Sequence, residues 1–290
     1  QGFGMVALIA LRAVQGLSAG GEIGAVSAYL MEVSPVKTLG MAVCFISVGS
    51  TVACAFASLL MAFLNDALTR EQMLAWGWRV PFLVSVPPGL VALWGRRSLA
   101  EDAAVSEEPN VAGASDGQNG EGQRVYRYAV AELVFEHPRA LIVGFGATVA
   151  ISTMWYVPPF WTLSALLNKS LGATDSLLVG FCNELVALAF TPFGGWVSDR
   201  YGVGFVTIVG AAYFMVTALP VYSWLSFNTS DKFAAYLSVG LVFGAAQGFS
   251  GSTIYLYVAE LFPARVRCLG IGLSYNIAVS YIGGVGSLIS

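Results

Sequence analysis

Charge is what this sequence has least of. Of its 290 residues only 11% are Asp, Glu, Lys or Arg, where a soluble domain carries about a quarter, and the shortfall argues against a soluble globular chain. Histidine occurs once, as His137, and the following Pro138 marks a helix start, which makes that histidine a boundary residue rather than a catalytic one. The four cysteines, Cys44, Cys54, Cys182 and Cys268, form no Cys-x-x-Cys pair and no Cys/His spacing, so they read as small packing residues and not as a metal or redox centre. The sequence contains no Gly-x-Ser-x-Gly, no metal cluster and no phosphate loop. Enzyme readings therefore have little support, and no cofactor, metal or nucleic-acid partner is expected.

What is present is apolar sequence, 57% of the chain, in runs of about 20 residues, each long enough to cross a hydrocarbon core of about 30 Å as a helix. Eight such runs are predicted, at 3–30, 40–64, 80–97, 140–163, 174–197, 203–226, 233–258 and 268–290. The weak alternation of a membrane barrel is absent. The chain starts and stops inside such runs, so it is expected to be part of a longer protein.

With eight spans the connections alternate sides. One side collects nine basic residues (Lys37, Arg96, Arg97, Arg124, Arg127, Arg139, Arg200, Arg265 and Arg267) and the other four (Arg70, Arg79, Lys169 and Lys232), with Arg12 inside the first span. The positive-inside rule makes the nine-residue side cytoplasmic and places residue 1 outside. The one long connection, 98–136, is acidic, Gly-rich and poor in aromatics over "EDAAVSEEPNVAGASDGQNGEGQ". Such a segment buries too little apolar area to offset its ordering entropy and is expected to be a mobile cytoplasmic linker. It divides the chain into residues 1–97 with three spans and 137–290 with five. The sequons at Asn168 and Asn228 both fall in predicted outside loops, a weak pointer to glycosylation.

The two parts share a repeat. Tyr29, Glu32, Pro35, Lys37 and Gly40 match Tyr257, Glu260, Pro263, Arg265 and Gly270, each set at the cytoplasmic end of a span. Matching punctuation at matching depth points to parallel halves with a binding site between them. The order of Arg12-x-x-Gln15-Gly16, Gly20-Gly21-Glu22-x-Gly24, Trp76-Gly77-Trp78-Arg79-x-Pro81-Phe82, Gly195-x-x-x-Asp199-Arg200-x-Gly202 and Glu260-Leu261-Phe262-Pro263-x-Arg265-x-Arg267 resembles the major facilitator superfamily. Within it, the Gly-Gly-Glu and Trp-Gly-Trp-Arg elements resemble the metabolite:proton symporters, which carry proline and betaine, 2-oxoglutarate, citrate or shikimate. Val203 and Gly204 stand where that family's loop motif continues with basic residues, and Lys37 and Thr38 where arginines are usual.

The resemblance implies an all-α membrane protein with a partial major-facilitator fold, eight transmembrane helices of an expected twelve (the fourth to the eleventh) in two pseudo-symmetric halves. It implies a transporter, monomeric when full length and placed in the plasma membrane, whose partners are a small polar solute, protons and lipid. The leading expectation is proton-coupled symport by alternating access. A sugar-porter-like uniporter and a non-transporting membrane sensor are the alternatives.

Helical spacing of about 100° per residue sorts the first span into two faces. Gln15, Ser18, Glu22 and Tyr29 share one stripe with Arg12 at its edge, while Gly16, Gly20 and Gly24 form a ladder on another. Small residues let membrane helices approach closely, so the ladder is expected to pack a neighbour. An intramembrane charge must face protein or water, so the stripe is expected to face the cavity. There Arg12 either attracts an anionic solute or locks helices, and Glu22 either exchanges a proton or makes a packing hydrogen bond. Glu184, beside Asn183, is the other intramembrane acid, with coupling and packing equally open. Gln15 and Asn276, the latter grouped with Tyr275 and Ser280, complete the candidate solute and proton groups. Trp155, Tyr156, Pro158 and Pro159 mark an expected kink. At the cytoplasmic face Asp199 and Arg200 are expected in a short loop after Gly195 that, by the resemblance, clasps the start of the 40–64 helix. Glu32, Glu260, Arg265 and Arg267 are expected to complete that gate as a charge network.

Overall fold

The computed structural model describes residues 22–95, 130–158, 162, 170–263 and 265–289. Arg12, Gln15, Gly16 and Gly20 lie outside the described residues, as does the linker up to residue 129. Every regular element among the described residues is helical. Residues 22–33 form helix α1. There follow α2 (Leu39–Ala67), α3 (Pro138–Tyr156), α4 (Ala173–Tyr201), α5 (Val203–Phe227), the composite α6 (Lys232–Glu260) and α7 (Arg267–Ile289). Five of the described segments, Val36–Ala67, α3, α4, α5 and α6, are long and apolar enough to cross a membrane.

Local chemistry explains where these helices start and stop. Pro138 sits at the first position of α3 behind His137, as its missing N–H permits. Gly172 and Gly202 bracket α4 with φ of 90° and 89°, a region that costs a side chain dearly. Both copies of the repeated Tyr-x-x-Glu-x-x-Pro element break the chain between two helices, α1 to α2 and α6 to α7. In α6 the backbone widens into a π-helix over Tyr236–Phe243, returns to α over Gly244–Gly251 and breaks at Ser252 and Thr253 before Ile254–Glu260.

Three expectations are corrected. The 80–97 run is a short helix, Val80–Val84, interrupted at Ser85 and resumed over 86–95, because Pro87 and Pro88 follow that serine and remove two backbone donors. Residues 130–136 of the predicted linker are helical with Leu133 fully buried, since their apolar stretch packs against the core while the acidic stretch ends earlier. Asp199 and Arg200 stand on the last turn of α4 rather than in a loop; the terminator is Gly202, not the Gly194-Gly195 pair, whose flat surface serves packing.

The most extensive helix pair is α2 with α4, antiparallel, and its register is visible in neighbours along the seam. A side chain at Gly40 would collide with Ser198, and Cys44 packs against Gly195. The buried positions of α2 include Gly40, Cys44, Ser47, Thr51, Ala55 and Ala62, all small, and α4 answers with Gly180, Ala187, Thr191, Gly194, Gly195 and Ser198. Lipid supplies no hydrophobic drive between helices, so contact comes from close backbone approach. A second such surface runs down α6, where Gly240, Gly244 and Gly248 lie against Cys182, Asn183 and Ala187 of α4.

Candidate functional site

The seam between α2 and the helices after the linker carries polar contacts at several depths. At one end the Asp199 carboxylate accepts the Gly40 N–H at 2.6 Å and the Met41 N–H at 3.1 Å. Thr38, ahead of α2, gives its helix no side-chain cap, so a residue of α4 satisfies the free donors of the first turn and meets the positive end of the helix dipole. Arg200 turns away and lies over the Trp196 ring at 4.4 Å. Further in, the Ser47 hydroxyl donates to the Gly251 carbonyl at 2.8 Å, and the Ser50 hydroxyl donates to the Ile46 carbonyl of its own helix at 3.4 Å.

Glu184 sits near the middle of the 29-residue α4 and is 4% exposed. The Gln247 side-chain amide of α6 donates to both its oxygens, at 3.4 and 3.3 Å. Gln247 is itself fully buried, and its own carbonyl oxygen has no partner among the described residues. The neighbouring Asn183 donates to the Val239 carbonyl at 2.7 Å, inside the π-helical stretch, while its oxygen is also unpartnered. Unmet buried acceptors cost about 1–3 kcal/mol each, so this pair of amides and one carboxylate is a place where a proton donor is favoured. Cys54 of α2 lies within electrostatic range of Glu184.

The other predicted residues divide sharply. Glu22 is exposed at the start of the described part of α1, and Gly24 of the same helix packs against the Cys268 carbonyl. Asn276 donates to Gly272 of its own helix at 2.7 Å. Of the residues expected in the charge network, Arg265 pairs with Glu132 at 3.8 Å, and Arg267 donates to the Ala259 carbonyl at 3.2 Å beside Glu260. Glu132 comes from the helical tail of the predicted linker, which explains why it was not counted among the gate residues. Glu32 is exposed. Asn228 caps α5 by donating to the Trp224 carbonyl at 2.9 Å, and Asn168 lies outside the described residues.

Sequence reasoning missed Gln247 and the α6 glycines. Both were legible: Gln247 is an amide in an apolar run, which membrane cost singles out, and Gly240, Gly244 and Gly248 repeat the spacing noted in the first span.

A multi-span helical membrane protein with a buried acid at an interhelical seam defines the class. The comparisons with known proteins define the family: the Major Facilitator Superfamily model matches residues 2–287, and the chain belongs to that superfamily. Among curated proteins it is similar to the ectoine/proline transporter ProP of Corynebacterium glutamicum, 28% identical over 99% of this chain and 57% of that protein. It is also similar to the citrate-proton symporter of Salmonella typhi, 29% identical over 100% of this chain and 64% of the relative. The alpha-ketoglutarate permease of Escherichia coli is 30% identical over 96% of this chain and 60% of its own length. These relatives are transporters, not enzymes, and the chain spans 57–64% of their length. No solved structure matches the chain.

Proposed function

We propose that the full-length protein is a secondary active transporter that carries a small polar metabolite together with protons by alternating access, and that Glu184 carries the proton. The observation behind this is the carboxylate itself: buried in the middle of a membrane-spanning helix, held by the weak, long donations of Gln247 and with no basic partner among the described residues. A permanent charge there is expensive, whereas a group that exchanges a proton between two accessible sides meets the cost in only part of its cycle. Citrate-proton symport in a relative supports the coupling, and the solutes in the relatives' names, ectoine, proline, citrate and alpha-ketoglutarate, support small organic and amino acids as the class. Glu22, together with Arg12 and Gln15, is the second candidate constellation for the solute and proton.

In this reading the Asp199 contact to Gly40 and Met41 closes the cytoplasmic side, with Gly195 providing the close approach and Arg265 and Arg267 bracing the same level. The protein works as a monomer in the plasma membrane with the 98–136 connection in the cytoplasm. The test is reconstitution of the full-length protein in vesicles under an inward proton gradient, offering proline, betaine, citrate, 2-oxoglutarate and shikimate. One of these accumulates above its external level, and Glu184→Gln keeps solute exchange but loses gradient-driven accumulation. Uptake with a final level independent of the gradient would establish a facilitative uniporter instead, and binding without flux a sensor.

A further inference from the structure

We propose that the phenols of Tyr156, Tyr255 and Tyr275, with the Ser50 hydroxyl, recognise a carboxylate of the transported solute beside Glu184. The proposal rests on the transport reading above and adds the chemical group by which the solute is held. Tyr255 of α6 and Tyr275 of α7 bring their hydroxyl oxygens to 3.1 Å with ring centroids 5.2 Å apart. Ser50 of α2, on the other side of the linker, lies close to the Tyr255 phenol, one turn beyond Ser47, which donates to the Gly251 carbonyl of α6 at 2.8 Å. Tyr156, the last residue of α3, lies within electrostatic range of both other phenols. Four helices, one before the linker and three after it, therefore bring hydroxyls into one region of the seam, which is where a solute must be held if the two halves are to rock about it.

The chemistry of the cluster selects its ligand. One of the paired phenols donates to the other, which leaves the second O–H to turn toward an acceptor, and the buried Trp155 indole N–H, next to Tyr156 and packed against Gly251, has no acceptor among the described residues. A carboxylate offers about four lone-pair directions and takes several such donors at once in short, charge-assisted bonds. A quaternary ammonium group would need open ring faces, but Tyr255 and Tyr275 pack their rings on one another, tilted at 46°. The solutes in the names of the relatives, proline, citrate and alpha-ketoglutarate, differ in size and charge and share a carboxylate.

The position also couples the solute to the proton. Gln247, which donates to Glu184, and Tyr255 stand on the same element, α6, and Cys54 of α2 lies within electrostatic range of both Glu184 and Tyr255. The groups facing Glu184 are Cys54 from α2 and Gln247 from α6. A solute carboxylate on the phenols repels an ionised Glu184, and a proton on Glu184 relieves that repulsion. Solute and proton thus strengthen each other's binding by the same factor.

The test is equilibrium binding to the purified full-length protein, read as a saturable rise in melting temperature, with proline, betaine, citrate and 2-oxoglutarate as probes, each beside its methyl ester or amide, and with tetramethylammonium. At least one free acid stabilises the protein, its ester or amide does not, and neither does tetramethylammonium. Tyr255→Phe and Tyr275→Phe each weaken that acid about tenfold, the worth of one lost hydrogen bond to a charged group. Ser50→Ala gives a smaller loss and stands in should a tyrosine variant fail to fold. No shift with any acid, equal binding of acid and ester, binding of tetramethylammonium, or folded phenylalanine variants that bind like wild type each overturn the proposal. Acid-specific binding without gradient-driven accumulation leaves this site standing and removes the symport reading. Accumulation with unaffected tyrosine variants does the reverse.

Discussion

Replacing Asp199 by alanine removes both acceptors from the start of α2. Its carboxylate takes two backbone donors, from Gly40 and Met41, and a hydrogen bond to a charged group contributes about 1.5–3 kcal/mol net. The helix dipole adds about 0.3–1 kcal/mol. Water restores part of this once the seam opens, so we take about 3 kcal/mol as the bias toward the closed side, which at 1.4 kcal/mol per tenfold is roughly a hundredfold in population. Asp199→Asn keeps one neutral acceptor and loses about half of that bias, roughly tenfold. Cys44 is the reporter, because it is fully buried one turn into α2 against Gly195 and becomes accessible only when the helices part. In a full-length variant retaining Cys44 alone, maleimide labelling from the cytoplasmic face accelerates roughly a hundredfold with alanine and tenfold with asparagine, in proportion to those populations. Equal labelling rates in wild type and both variants, or equal acceleration by Gly146→Ala on an open helix face, would refute the assignment of Asp199 as the latch.

Other substitutions test the packing. Gly248→Ala places a methyl group into the Ala187 backbone and destabilises the protein by about 1–3 kcal/mol, read as a lowered melting temperature in detergent, while Gly146→Ala, with nothing near its added carbon, leaves it unchanged. Gly202→Ala forces a side chain onto φ of 89° and costs about 1–3 kcal/mol, measurable in the same assay. Arg265→Ala breaks a pair whose arginine is 79% exposed and alters the melting temperature little, since such pairs are worth about 0–1 kcal/mol.

Much of the fold was legible because membrane physics writes itself into composition: runs of apolar residues, proline at the start of α3 and a repeated break motif are one-dimensional signals, whereas which of the glycines near 194–202 ends α4 was decided by packing. The site was legible in parts. Glu184 stood out on cost alone, since nothing but protein or water tolerates a carboxylate at that depth. Its partner did not, because Gln247 is 63 residues away in sequence and only the packing of α6 on α4 brings the amide to it. Asp199 was expected to meet the start of the 40–64 helix by resemblance, but the donors it takes are backbone groups, which carry no sequence signature.

The sequence by itself determined that this is a helical membrane chain with two matching parts and a few acids too costly to be accidental. The tertiary structure decided which of those acids is enclosed: Glu184 is buried between α4 and α6, and Glu22 is exposed in the described part of α1. The physical reason is that hydropathy and period are properties of one helix, whereas desolvation of a carboxylate is a property of the helices that surround it.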